Sequence, residues 1–139
     1  MVTEDTTSEP SLSEDSYLLG TDPEEVKRLD AQHRLWADAT QDLWNRAGFG
    51  LGWRLLDLGC GPGFASVDLA RLVGVHGQVL AIDKSCRFVE LLARERIRLQ
   101  LNQLTERVAR AQTLELEPDS LDGVFTRWFF CFLEDPEAV

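Results

Sequence analysis

The sequence predicts an α/β domain built on a parallel sheet, and three observations lead there. Two short apolar runs, Arg54-Leu55-Leu56-Asp57-Leu58 and Gly77-Gln78-Val79-Leu80-Ala81-Ile82-Asp83, have the length and composition of buried strands. Each is followed by apolar residues at helical spacing, and a glycine-rich turn, Gly59 to Gly63, separates the first run from its helix. Strands that alternate with helices in this way form parallel sheets with helices on both faces.

The elements follow in chain order. Residues 1 to 16 are rich in Ser, Thr and acids and carry too few apolar groups to offset the entropy of ordering, which predicts a disordered acidic tail. The domain then runs over 17–139. Asp22-Pro23-Glu24-Glu25 supplies an N-cap, a proline at the first helical position and, in Glu25, the reciprocal acid of a capping box. Val26, Leu29, His33, Trp36, Thr40, Leu43, Trp44 and Ala47 recur at steps of three and four before Gly48, so one long amphipathic covering helix is expected over 22–47.

After the glycine turn, Phe64, Val67, Leu69, Ala70 and Leu72 mark a second helix, and Ser85 can cap a third carrying Phe88, Leu91, Leu92, Leu99 and Leu101. Arg107-Val108-Ala109-Arg110-Ala111 is a weaker strand candidate, and Asp122-Gly123-Val124-Phe125-Thr126-Arg127 a stronger one. Asp135-Pro136 signals a further helix start. The expectation is a sheet truncated after about four strands, with an open edge that more chain, an oligomer or a partner would cover.

Composition narrows the function classes. The chain of 139 residues fits one compact domain, and no apolar run approaches a membrane span, so a soluble cytoplasmic protein without membrane contact is expected. The net charge of −10 is uneven: residues 1 to 30 hold nine acids and two bases, a balance of −7, leaving −3 for the rest. Such a chain has no basic footprint for a phosphate backbone, and no nucleic-acid partner is expected. Cys60, Cys86 and Cys131 form no C-x-x-C pair, which predicts reduced, buried thiols and no metal site.

The chemistry concentrates at the first strand-to-helix turn, where helix N-terminal amides point outward and ligands of open α/β sheets bind. A dinucleotide fingerprint requires G-x-G-x-x-G, but counting from Gly59 puts Phe64 where the third glycine belongs. Here the third glycine, Gly63, comes one position earlier, and an acid, Asp57, precedes the first by two. Asp83 lies twenty residues past Gly63 at the end of the next strand, placed to accept ribose hydroxyls.

Leu56-Asp57-Leu58-Gly59-Cys60-Gly61-Pro62-Gly63 resembles the first motif of the class I S-adenosylmethionine-dependent methyltransferases. The resemblance implies a Rossmann-like sheet and S-adenosylmethionine as cofactor, with Asp57, Gly59, Gly61 and Gly63 at its turn, Asp83 at its ribose and Lys84 beside its adenine. The stretch Arg110 to Asp122 is similar to the family pattern Asp-Ala-x-x-Leu followed by Phe-Asp, which would set Ala111 against the adenine. One position departs: the family acid that meets the exocyclic amine is Arg110 here, and arginine cannot accept that hydrogen bond.

Phe125 to Pro136 resembles the family segment that passes under the methionine part of the cofactor. That likeness points to Arg127 and Trp128 as lining residues and leaves Phe125, Phe129 and Phe130 as aromatic core. Tyr17-x-Leu-Gly and Arg28-Leu29-x-x-Gln32 are similar to a subset of these enzymes, in which Tyr17 would close over the methionine end and Gln32 would bond its carboxylate or amine. The resemblance implies methyl transfer to a small-molecule substrate, with a non-catalytic cofactor-binding or interaction module as the alternative. No general base stands out, because His33 on the helix and His76 in a turn read as structural.

Overall fold

The computed structural model describes residues 20–139. The predicted tail over 1–16 and Tyr17 lie outside the described residues. Eight principal elements follow in order: α1 (Pro23–Leu35), α2 (Ala37–Ala47), β1 (Arg54–Leu58), α3 (Phe64–Val73), β2 (Gln78–Asp83), α4 (Cys86–Arg98), β3 (Leu104–Val108) and β4 (Gly123–Phe125). The strands form one four-stranded sheet in the order β3-β2-β1-β4, and every pairing is parallel.

The two central strands are buried as their apolar composition requires, with Leu55, Leu56, Val79, Ala81 and Ile82 all withdrawn from solvent. Because successive side chains point to opposite faces, Leu55 joins a cluster with Trp44, Leu69, Val73 and Leu92, while Leu56, Leu58 and Ile82 form a second one. The first cluster is roofed by α2, α3 and α4. On the other face, where helices were also expected, the cover among the described residues is a stretch with Ala109, Ala111, Leu114 and Leu121, whose only helical part is one 3-10 turn over Ala111–Thr113, together with Phe129. Residues 114 to 122 between β3 and β4 are acidic and interrupted by Pro118, which leaves no room for a helical turn there.

Several boundaries differ from the sequence reading: β4 keeps only Gly123–Phe125 of the predicted 122–127, and α4 ends at Arg98, short of Leu99 and Leu101. The long helix over 22–47 is two helices that break at Trp36, whose φ of −98° and ψ of 5° leave the helical region. No glycine or proline stands at the break. Instead His33 and Thr40, one on each side of it, both bond the guanidinium of Arg127, and Trp36 stands edge-on to Trp128 at 5.9 Å. Tertiary contacts thus override a continuous periodicity. The third strand starts at Leu104, three residues before the predicted Arg107, because Leu104 is buried and pairs with Val79.

The caps behave as the residues dictate. Asp22 accepts from the Glu25 amide at 2.9 Å and Ser85 from the Phe88 amide at 3.2 Å. The capping box is only half made, since the Glu25 carboxylate turns to Arg28. At the start of the sheet, Asp122 accepts from the Arg54 amide at 2.7 Å and from both ends of its guanidinium, which fixes β4 beside β1.

Candidate functional site

The ends of β1 and β2 and the segments after β3 and β4 open onto one cleft of about 850 Å³. Its fourth wall is α1, which contributes Glu25, Arg28, Leu29 and Gln32. This is where ligands of open α/β sheets bind, beyond the carboxyl ends of the strands. Of the ten residues singled out from the sequence, Gln32, Asp57, Gly59, Gly61, Asp83, Lys84, Ala111 and Arg127 line this one cleft. Gly63 does not, and Tyr17 lies outside the described residues.

The glycine turn is shaped from both sides. The Cys60 amide donates to the Ile82 carbonyl at 2.8 Å, tying the turn to β2, and the Gly63 amide closes it onto the Cys60 carbonyl at 3.0 Å. Its three glycines answer different demands. A Cβ on Gly59 would overlap the ring of Phe129, and one on Gly63 would overlap the side chain of Leu92. At Gly61, with φ of 54°, a Cβ would meet nothing within 4 Å. Two of the glycines therefore admit the protein's own core, and only Gly61 leaves its backbone open to the cleft.

Asp83 binds two turns together. One carboxylate oxygen accepts from the Gly61 amide at 2.8 Å and the other from the Ser85 amide at 2.9 Å, in a side chain only 4% exposed. The β2-end acid thus holds the glycine turn and the start of α4 in register.

Asp57 points the other way, toward α3, where the Ser66 hydroxyl donates to it at 2.6 Å. Burial pushes its carboxyl up to about 6, with the Ser66 hydrogen bond and the charge of Arg127 opposing the rise. The neighbouring Cys60 thiol is held well above its ordinary value by burial and by the charges of Asp57 and Asp83. Cys60 is half-buried on the cleft wall, whereas Cys86 and Cys131, expected to be buried, are exposed.

Arg127 crosses from the β4 end to the covering helices. Its guanidinium donates to Thr40 Oγ1 at 2.9 Å and to His33 Nδ1 at 2.9 Å, while His33 Nε2 lies 2.8 Å from Asp68 Oδ2. The His33 ring also stacks on Phe64 at 5.9 Å. Burial lowers the Arg127 guanidinium from its usual value, and the charges of Asp57 and Asp68 raise it. His33, which the sequence placed among the apolar positions of its helix, makes polar contacts here instead.

Sequence reasoning missed three features. Glu25 is a buried wall of the cleft, paired to Arg28 by bonds of 2.8 and 2.7 Å, and its apparent role as a capping acid hid this. Phe129 and Phe130 do not continue a core strand: Phe129 fills the space beside Gly59 and Phe130 is 46% exposed. Trp128 adopts a left-handed φ of 57°, which turns the chain out of β4 and exposes half of the indole. No pattern of residue types announces a positive φ at tryptophan.

Comparison with known proteins agrees with this geometry. A family model described as a methyltransferase domain matches residues 56–139. The chain is 38% identical over 88 residues to a 2-phytyl-1,4-naphtoquinone methyltransferase of Nostoc punctiforme, a match covering 63% of this chain and 36% of that protein. It is 31% identical over 86 residues to a probable cobalt-precorrin-6B C(15)-methyltransferase (decarboxylating) of Thermoplasma volcanium, covering 58% of this chain and 40% of that one. Among solved structures, a SAM-dependent methyltransferase from Aquifex aeolicus superposes with a TM-score of 0.75 at 27% identity, covering 84% of this chain and 62% of the other.

The chain belongs to the methyltransferase-domain family, a class of S-adenosylmethionine-dependent enzymes with this α/β fold. It matches 36 to 40% of the length of the two curated relatives. No helix among the described residues is long and apolar enough to cross a membrane.

Proposed function

We propose that the cleft holds S-adenosylmethionine and that the protein transfers its methyl group to a small-molecule acceptor. The observation that carries this reading is Asp83: a buried carboxylate at the end of β2, fixed by the amides of Gly61 and Ser85, on the wall of the cleft. An acid held there fits the two hydroxyls of a ribose. The open space at Gly61 lets the backbone approach the adjoining part of the ligand. The volume of about 850 Å³ falls within the roughly 300 to 1,000 Å³ of small-molecule sites.

When bound, the cofactor supplies an electrophilic methyl on a sulfonium. The chain's residues have to bind, orient and exclude water, because an in-line displacement gains mostly from positioning, on the order of 7 to 11 kcal/mol in well-oriented cases. Asp83 and the glycine turn fix the nucleoside half, Ala111 packs against the base, and Gln32 and Arg127 face the methionine half. Lys84 borders the same wall, and Asp57, through Ser66, holds the turn in place. A small-molecule acceptor is supported by the chain's net charge of −10, which offers no footprint for nucleic acid. The substrate named for the Nostoc punctiforme relative, a phytyl naphthoquinone, belongs to the same class.

Calorimetric titration with S-adenosylhomocysteine tests the site. Saturable binding at micromolar concentration is expected, and heats indistinguishable from dilution up to millimolar ligand would overturn the reading. Transfer of labelled methyl from S-adenosylmethionine to a panel of phenols, quinols and amines tests the reaction.

A further inference from the structure

The geometry points to Arg110 as a specificity-determining residue that reads hydrogen-bond acceptors on the purine of the ligand, so that the site accepts a 6-oxopurine as readily as adenine. The inference rests on the cofactor reading above and deepens it.

The placement comes from the sheet. β2 and β3 are neighbours, and the Ala109 amide donates to the Asp83 carbonyl at 3.0 Å, so the segment after β3 begins beside the ribose acid. A base on a ribose held by Asp83 therefore extends toward Ala109, Arg110, Ala111 and Gln112, all of which line the cleft. Ala109, Ala111 and Leu114 pack against the cluster around Ile82, so they offer the base an apolar floor with no hydrogen-bonding side chain. Two cations line this end, Lys84 and Arg110, and of these Arg110 is exposed and makes no ion pair or side-chain hydrogen bond among the described residues.

A guanidinium carries five donors and no acceptor. It has nothing to offer the exocyclic amine of adenine, which is a donor, and it matches a ring nitrogen or a carbonyl oxygen. Arginine's usual purine partner is the acceptor pair N7 and O6 of a 6-oxopurine. A carboxylate in the same place would accept from the 6-amino group and repel a 6-oxo group. A site built to hydrogen-bond one polar group of its ligand can reject an analogue lacking that group by several orders of magnitude. At this position the chain is built in the opposite sense.

The test compares S-adenosylhomocysteine with its deaminated analogue, S-inosylhomocysteine, by calorimetric titration on the protein and on Arg110→Asp. The unmodified protein is expected to bind the two ligands within about threefold of each other. Arg110→Asp is expected to favour S-adenosylhomocysteine by at least about tenfold, the worth of one hydrogen bond to a charged group. Arg110 is exposed and unpaired among the described residues, so the variant should keep the unmodified thermal midpoint; Arg110→Met, which removes the donors without adding a charge, should weaken the inosine compound more than the adenosine one. A tenfold preference for S-adenosylhomocysteine in the unmodified protein, or a ratio unchanged in Arg110→Asp, would overturn the assignment while leaving the cofactor site standing. Failure of both ligands to bind the unmodified protein would overturn the cofactor reading and this inference together.

Discussion

Arg127 Nη2 lies 2.9 Å from His33 Nδ1, and because a guanidinium has only donors, that ring nitrogen is the acceptor. His33 therefore carries its proton on Nε2 and donates it to Asp68, 2.8 Å away, so one ring joins α1 to both α3 and the β4 end. His33→Ala would strip a half-buried guanidinium of one of its two neutral partners. A loss of about 1 to 3 kcal/mol in urea unfolding is expected, with weaker binding of S-adenosylhomocysteine because Arg127 faces the cleft. A change below about 0.5 kcal/mol would show the strut to be inert.

Asp57 sets a pH dependence. Its folded-state value, raised to about 6 by burial, lies above that of an unfolded aspartate, so the folded protein binds the proton more tightly. The stability linked to this group is full below about pH 4 and is lost as pH rises through about 6, a difference of roughly 3 kcal/mol at most. Asp57→Asn keeps an acceptor for the Ser66 hydroxyl and removes the buried charge. It should be more stable than the unmodified protein at pH 7 and comparable to it near pH 4, measured by denaturant unfolding at each pH. A variant less stable at pH 7 would sink the account.

The glycines of the turn should separate fold from binding. Gly63→Ala forces a methyl against buried Leu92 at a left-handed φ of 88° and is expected to cost about 2 to 4 kcal/mol of stability. Gly61→Ala carries only the backbone strain, on the order of 1 to 2 kcal/mol, yet places its methyl in the open space of the cleft. Affinity for S-adenosylhomocysteine should fall at least about tenfold there. The bulkier Gly61→Val should abolish binding.

Asp83→Ala is expected to weaken S-adenosylhomocysteine by about 10 to 100-fold, since charge-assisted hydrogen bonds contribute about 1.5 to 3 kcal/mol. The variant should also lose stability, because the amides of Gly61 and Ser85 lose their acceptor. A shift in affinity below about twofold would place the ribose elsewhere.

The sheet was legible because its signals are local. β1 and β2 are apolar runs bounded by turns, and Ser85 marks the start of α4 by its chemistry alone. The glycine turn and Asp83 were legible for the same reason, as spacing along the chain translates into adjacency across two parallel strands. What escaped depends on partners distant in sequence. The break at Trp36 follows from Arg127, ninety-one residues later, and the narrow space at Gly59 follows from Phe129. Glu25 read as a cap because its nearest partners are local, and only the fold shows that it also faces the cleft.

The division of the covering helix at Trp36 bears on how a ligand reaches the site. α2 is anchored by Trp44, which is 2% exposed and stands edge-on to Phe125 at 5.1 Å. In α1 the sole buried residue is Glu25, an acid, so the helix that walls the cleft hides no apolar side chain completely. Detaching α1 would break a histidine ring's two hydrogen bonds and a stacking contact without baring any fully buried apolar side chain of its own. Its amide protons should exchange by local opening, far more readily than those of α3 beneath it.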